Sequence, residues 1–259
     1  MSENYRDRLF GSYHATHVRH LDVDEGAKQE WFVEYARANY LPLIGELDRS
    51  RTEVLELACN KGFLLRALAM LGFEHLRGVD LSPEDVARAQ QIAPNATIIR
   101  AEALQYLNEN QNQFDLIALK ALLEHVPKDQ IVPLLEAINQ SLRPGGIALI
   151  DVPNMDWIAA NHERYMDFTH ETGFTRESLA QVMRTVWAEV SVRPSIDLFE
   201  PGWKAFVIRL LRPAVIASGH LILRIIGEGA SEVWWHCRSI IAIGRKAPST
   251  SFPTSEFTS

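Results

Sequence analysis

Cysteine is scarce in this chain: Cys59 and Cys237 are the only two in 259 residues. That is too few for a disulfide framework and suits a reducing compartment. The N-terminus offers Ser, Glu, Asn and Arg where an apolar signal region would stand, so a cytoplasmic protein is expected. Positive charge is in deficit too. With 26 Lys and Arg against 33 Asp and Glu, the formal net charge is −7, which argues against a nucleic acid held mainly through its phosphates. No uninterrupted apolar run reaches the roughly 20 residues that cross a bilayer. Arg209, Arg212, His220 and Arg224 interrupt the longest candidate, so membrane contact, if any, is expected to be peripheral. No internal repeat is present.

What the chain does have is enough apolar material for one sizeable core, at 47% hydrophobic and 23% charged residues. Residues 1–50 read as an N-terminal cap containing a helix from Ala27 to Asn39. From Thr52 onward, short β-rich runs alternate with helical stretches: strands at 52–57, 76–80, 96–100, 115–120 and 146–152, with helices at 62–71, 83–92, 103–109 and 128–142 between them. Such alternation predicts an α/β fold with a doubly wound, mostly parallel sheet. Ser82-Pro83-Glu84-Asp85 supplies an N-cap, a first-turn proline and first-turn carboxylates, so a helix starts there on local chemistry alone. Arg143-Pro144-Gly145-Gly146 ends another. A helix led by Thr175 and a strand near 188–194 follow, and a last strand is expected within 232–243. The main domain thus spans 51–246, and the Pro, Ser and Thr of 247–259 predict a disordered tail.

The most informative stretch is Val54-Leu55-Glu56-Leu57-Ala58-Cys59-Asn60-Lys61-Gly62-Phe63, an apolar strand, a tight turn and a helix start. A carboxylate, Asp80, ends the next strand, and this is the kit that holds a ribose at the carboxyl edge of a parallel sheet. The glycine signal alone is weak, since Ala58 and Asn60 occupy two of the three usual glycine positions. The continuation strengthens it: Leu76-Arg77-Gly78-Val79-Asp80-Leu81-Ser82-Pro83, then Arg100-Ala101-Glu102-Ala103, then Phe114 to Lys120, then Leu142-Arg143-Pro144-Gly145-Gly146. In order and spacing, residues 50 to 155 resemble the successive motifs of class I S-adenosylmethionine-dependent methyltransferases.

That resemblance implies a seven-stranded Rossmann-like sheet, S-adenosyl-L-methionine as cofactor and a set of roles. Glu56 matches the carboxylate that orients the methionine amino group, and Gly62 the glycine that lets a helix approach the ligand. Ala58 and Asn60 complete the loop with an altered path. Asp80, with Leu81 beside it, matches the acceptor for both ribose hydroxyls; Glu102 and Ala103 match the adenine contacts. Lys120 ends the fourth strand, where the family binds the methionine portion through backbone groups, and its charge has no assigned role. His125, in Leu123-Glu124-His125-Val126, either faces the methyl group or buttresses the loop.

On the acceptor side, Asn154 to Phe174 is rich in polar groups and follows the fifth strand directly. Arg164-Tyr165-Met166-Asp167-Phe168-Thr169-His170-Glu171 is similar to a segment of methyltransferases from bacterial surface-glycan and sugar biosynthesis, which implies a hydroxyl acceptor on a sugar or glycan precursor. His170 suits proton removal near neutrality and Asp167 is placed to orient it; the alternative is a helix-entry turn stapled by the same side chains. His14, His17 and His20 imitate a metal run without a matching carboxylate, and no metal is expected. Residues 202–227 read as two short amphipathic helices broken near Pro213, a surface for peripheral membrane contact, a cover for a lipid-linked acceptor or a homodimer face, or else ordinary core. Two other functions stay open: methylation of an aromatic or isoprenoid-like small molecule, and a catalytically silent nucleoside-binding scaffold.

Overall fold

A computed structural model describes residues 24–196, 203–227 and 233–248, together with Leu9. The run His14, His17 and His20 and residues 249–259 of the expected tail lie outside the described residues. From residue 24 the described residues begin with α1 (Glu25–Asn39) and α2 (Leu41–Ile44). The alternating part follows as β1 (Glu53–Leu57), α3 (Phe63–Met70), β2 (His75–Asp80), α4 (Pro83–Ile92), β3 (Thr97–Arg100), α5 (Ala103–Glu109) and β4 (Phe114–Lys120). It continues through α6 (Lys128–Ser141), β5 (Leu142–Pro153), α7 (Ala160–Tyr165), α8 (Arg176–Met183), β6 (Glu189–Pro194), α9 (Trp203–Ile225) and β7 (Ser239–Arg245).

The seven strands form one sheet in the order β3-β2-β1-β4-β5-β7-β6. The first five strands run parallel, and β7 pairs antiparallel with β5 and β6. The expected doubly wound, mostly parallel fold is therefore what the chain adopts. Central strands are apolar on both faces because helices cover both. Leu55, Leu57, Ile117 and Leu119 point into one core with α6 and α8. Val54, Leu116, Ile147 and Leu149 point into the other with α1 and α3. Local chemistry sets the helix starts as expected: Ser82 Oγ accepts from Asp85 N at 3.2 Å, and Thr175 with Ser178 forms a reciprocal capping box.

The C-terminal third departs from expectation. Residues 203–225 form one 23-residue helix rather than two, with Pro213 inside it. A single proline forfeits one hydrogen bond and clashes with the preceding turn, but the strong helix formers on both sides continue past it. The interrupting charges likewise fail to shorten the apolar run: Phe206–Ile225 is long and apolar enough to cross a membrane, and none of it is buried. The helix meets the domain through few groups. Arg212 Nη2 donates to the His236 carbonyl at 3.1 Å, and His220 lies edge-on to Trp235. Gly219 faces Trp235 so closely that a Cβ there would sit 2.1 Å from the indole. Strand β7 starts at Ser239, later than expected, because Trp234 to Cys237 turn to receive this helix.

The N-terminal cap is joined to the sheet by a buried charge. Asp151, at the end of β5 and 1% exposed, accepts on one oxygen from Tyr35 at 2.9 Å, Tyr40 at 2.6 Å and Lys120 Nζ at 2.9 Å. Lys120 thus has a structural role: it is the counter-ion of Asp151. Removing it leaves a buried carboxylate without its cation, so Lys120→Met should cost about 3 kcal/mol in urea unfolding. Tyr40→Phe should cost about 1.5–3 kcal/mol, the range for one hydrogen bond to a charged group. A loss below about 1 kcal/mol in Lys120→Met would mean that Asp151 is not held as an ion.

Candidate active site

Strand order reverses between β1 and β4, so the crevice beyond the carboxyl ends of those strands is where an open α/β sheet binds its ligand. The loop after β1 is built for a tight path. Ala58 and Asn60 both have left-handed backbones, at φ 53° and 46°, and Gly62 follows at φ 80°. Asn60 tolerates this conformation and Ala58 is strained by it. Gly62 also lies against α4, where a Cβ would come within 3.1 Å of Ala89. Ala121, immediately after β4, is left-handed as well, at φ 52°.

Asp80 fixes the loop. One of its oxygens accepts from Asn60 N at 2.8 Å and the other from Ser82 N at 2.9 Å. A carboxylate has about four acceptor positions, so both oxygens keep capacity for ribose hydroxyls. Glu56, buried in β1, has one oxygen with no hydrogen-bond partner. Burial first, and the Asp80 charge second, hold its pKa well above the ordinary range. Leu81 stands exposed beside Asp80, an apolar platform for a base. Glu102 caps α5 by accepting from Gln105 N at 2.7 Å and is exposed, so the expected adenine contact would have to share this capping side chain. Ala103, half-buried, begins that helix. S-adenosylmethionine fits this edge on the chemistry of its acceptors: an unpaired buried carboxylate oxygen for the ammonium group and a strand-end carboxylate for the ribose.

The acceptor side is arranged differently from the expectation that Asp167 orients His170. Asp167 Oδ1 accepts from both Thr169 N at 2.8 Å and Thr169 Oγ1 at 2.7 Å. Thr169 Oγ1 lies 2.8 Å from His125 Nδ1. Since the threonine proton goes to Asp167, Nδ1 of His125 is the donor in that contact. The chain of contacts is therefore Asp167 to Thr169 to His125. His170 is held instead by the Glu163 carbonyl, 2.9 Å from its Nδ1, which can only accept. The two imidazoles meet edge to face with centroids 4.7 Å apart. Sequence proximity had suggested the wrong partner because the turn at 167–170 brings Thr169 back to Asp167.

Neither Glu124 nor Thr169 was assigned a role from sequence; the Glu124-His125 pair after β4 and the polar run around Asp167 were their signals. Glu124 is buried, both its carboxylate oxygens lack partners, and burial pushes its pKa up to about 8. Its carbonyl accepts from Glu171 N at 2.7 Å and Thr172 N at 3.0 Å, stitching the loop after β4 to the segment after β5.

Two measurements test the donor edge. Asp80→Ala should weaken S-adenosylmethionine binding about 10- to 100-fold in calorimetry, the equivalent of losing charge-assisted hydrogen bonds; unchanged affinity in a folded variant would remove Asp80 from the site. The raised pKa of Glu56 means that the folded protein keeps this proton to higher pH than the unfolded chain, so stability falls as pH rises above 4.5. Glu56→Gln should reduce that fall in urea titrations, and a slope equal to wild type would assign the proton elsewhere.

Residues 54–146 match the family model described as a methyltransferase domain. A ubiquinone biosynthesis O-methyltransferase from Xylella fastidiosa (strain 9a5c) is 30% identical over 158 residues, covering 60% of this chain and 62% of that protein. One from Shewanella halifaxensis is 29% identical over 106 residues, covering 39% and 44%. The chain thus spans about half the length of the curated relatives it matches. In fold it is similar to a SAM-dependent methyltransferase from Archaeoglobus fulgidus, at TM-score 0.62 and 16% identity over 84% of this chain and 94% of that one. It is also similar to an S-adenosylmethionine-dependent methyltransferase from Mesorhizobium loti, at TM-score 0.52 and 17% identity over 81% and 98%. Residues 54–146 thus match a methyltransferase domain, and the sheet around them has the Rossmann-like fold of solved S-adenosylmethionine-dependent methyltransferases.

Proposed function

We propose that the protein is an O-methyltransferase acting on a hydroxyl of an amphipathic small molecule with an isoprenoid-like chain, reached from the cytoplasmic surface of a membrane. The carrying observation is the character of the acceptor segment. Ile158, Tyr165 and Phe168 are 78%, 76% and 82% exposed, and Met166 joins them. Several of its polar side chains are already engaged: Arg164 donates to the carbonyls of His170 and Glu171, Asp167 accepts from Thr169, and Glu163 pairs with Arg238, while Asn161 and His162 stay exposed. A surface left apolar in this way suits a chain-bearing acceptor better than a sugar, the acceptor suggested by the polar composition of 154–174.

Helix α9 supports the same reading. Its Arg212, Gly219 and His220 side faces Trp235 and His236, while Leu210, Leu211, Val215, Leu221, Ile222 and Ile225 face outward and are exposed. It contains no acidic residue, and Arg209, Arg212 and Arg224 favour an anionic lipid surface. Trp235, which receives the helix, also accepts through its carbonyl from Ile158 N at 3.0 Å, so the helix and the acceptor segment are neighbours. The curated relatives named for ubiquinone biosynthesis agree with an acceptor of this class.

When bound, S-adenosylmethionine supplies an electrophilic methyl group on a sulfonium sulfur. In-line displacement breaks the carbon–sulfur bond as the carbon–oxygen bond forms, and the hydroxyl proton must leave. We assign the handling of that proton to His125 and His170, with Asp167, through Thr169, as a positioning residue for His125. His125→Ala or His170→Ala should retain donor affinity and lower turnover about 10²–10⁴-fold. A panel of hydroxylated acceptors with and without prenyl chains, assayed for methyl ether formation by mass spectrometry, tests the class. Transfer confined to sugars would overturn it. Leu210→Ser with Leu211→Ser should abolish co-sedimentation with anionic liposomes. Unchanged sedimentation, or a change in oligomer mass instead, would assign that face to core or to a homodimer.

A further inference from the structure

Among the described residues, one group of His, Cys, Asp and Glu side chains is arranged to hold a metal ion: Glu124, His125 and His170. One ligand atom from each lies within 4.8 Å of the other two. Three features of the surroundings match what a cation requires. The carboxylate of Glu124 is 3% exposed and both its oxygens lack a hydrogen-bond partner. A buried acceptor with no donor is costly, and a cation removes that cost. Both imidazoles are held through Nδ1, His125 by Thr169 Oγ1 and His170 by the Glu163 carbonyl. In neutral rings tethered this way the lone pair is on Nε2, and such outer-shell contacts orient metal-ligating histidines. Finally, the two loops that supply the ligands are stitched by the backbone bonds from Glu171 and Thr172 to Glu124, so the three groups are held together by the fold.

We propose that Glu124, His125 and His170 form a binding site for a divalent first-row transition-metal cation. Two imidazoles and one carboxylate leave coordination positions open; the imidazoles favour zinc over magnesium, and the carboxylate with the open positions also admits manganese. The inference deepens the proposed O-methyl transfer and rests on it for its purpose. A cation held by these three residues would act as a Lewis acid that lowers the pKa of an acceptor hydroxyl, its proton passing to water. The oxygen then attacks the methyl carbon, the carbon–sulfur bond breaks, and the sulfur leaves as a neutral thioether. The activation assigned above to the imidazoles is then exerted through the ion they hold. This proposal departs from the expectation of no metal, since its ligands come from two loops 45 residues apart and not from one run.

The test uses the full chain, freed of metal by chelator and dialysis, with neither donor nor acceptor present. Zn²⁺ and Mn²⁺ titrated calorimetrically should each bind at one equivalent and raise the melting temperature by several degrees, with Mg²⁺ far weaker. Manganese binding should also be visible as loss of the free-ion paramagnetic resonance signal. His170→Ala and, separately, Glu124→Gln should weaken zinc binding at least 100-fold while circular dichroism stays native. Absence of one-equivalent binding in the wild type, or binding that persists in a folded variant of either residue, would overturn the site. The two readings fail separately. Metal binding without methyl ether formation would refute the acceptor assignment, whereas full transfer by chelator-treated protein would refute the role of the metal.

Discussion

A carboxylate with almost no access to water holds this domain together at its carboxyl edge. Asp151 would be intolerable in the sheet without donors, because an unpaired buried charge costs several kcal/mol. Tyr35 and Tyr40 from the N-terminal cap and Lys120 from the adjacent strand converge on one of its oxygens. The cap thereby becomes part of the sheet's electrostatics and not merely a cover. Lys120 is further placed over the Tyr35 ring at 4.5 Å, and Tyr35 stacks on Trp31 at 4.6 Å. Burial, and next the Asp151 charge, keep Tyr40 protonated far above the usual tyrosine range, so it remains a donor at every physiological pH.

The same edge gathers other acids. Glu56, Asp80 and Glu124 all have raised pKa values, with burial as the first cause in each. A bound cation would offset that burial and draw these acids toward their charged forms. S-adenosylmethionine carries positive charge on both its sulfonium and its ammonium group, and its demethylated product lacks the sulfonium charge.

The doubly wound core was legible because each of its elements is specified locally. Ser82-Pro83, Thr175 and the two-faced apolar runs in β1, β4 and β5 carry their own instructions, and the elements fall within a few residues of the expected bounds. The positions of Glu56 and Asp80 were legible for the same reason, since they sit toward the ends of their strands in a fixed order. What could not be read was set by tertiary contact. Lys120 needed Asp151, 31 residues away, to have a meaning. Thr169 displaced His170 as the partner of Asp167 by the path of one turn. Pro213 looked like a break because local propensity says nothing of a helix continued by the residues beyond it. Glu124 was invisible because an acid's lack of partners is a property of its burial and not of its neighbours in sequence.

The left-handed alanines have a consequence for how the domain comes apart. Ala58 and Ala121 end two neighbouring strands, one on each side of the crevice. Each costs about 1–2 kcal/mol against an extended or right-handed backbone, in a domain whose whole margin is on the order of 5–15 kcal/mol. The crevice floor therefore behaves as a pair of loaded springs, held in place by the packing around them. Weakened packing far from the crevice is felt there before it is felt in the sheet, because these loops open at less cost than the strands behind them. Ligand affinity in this protein should accordingly report the soundness of the fold as a whole, and a ligand that clasps both loops contributes to folding as well as to chemistry.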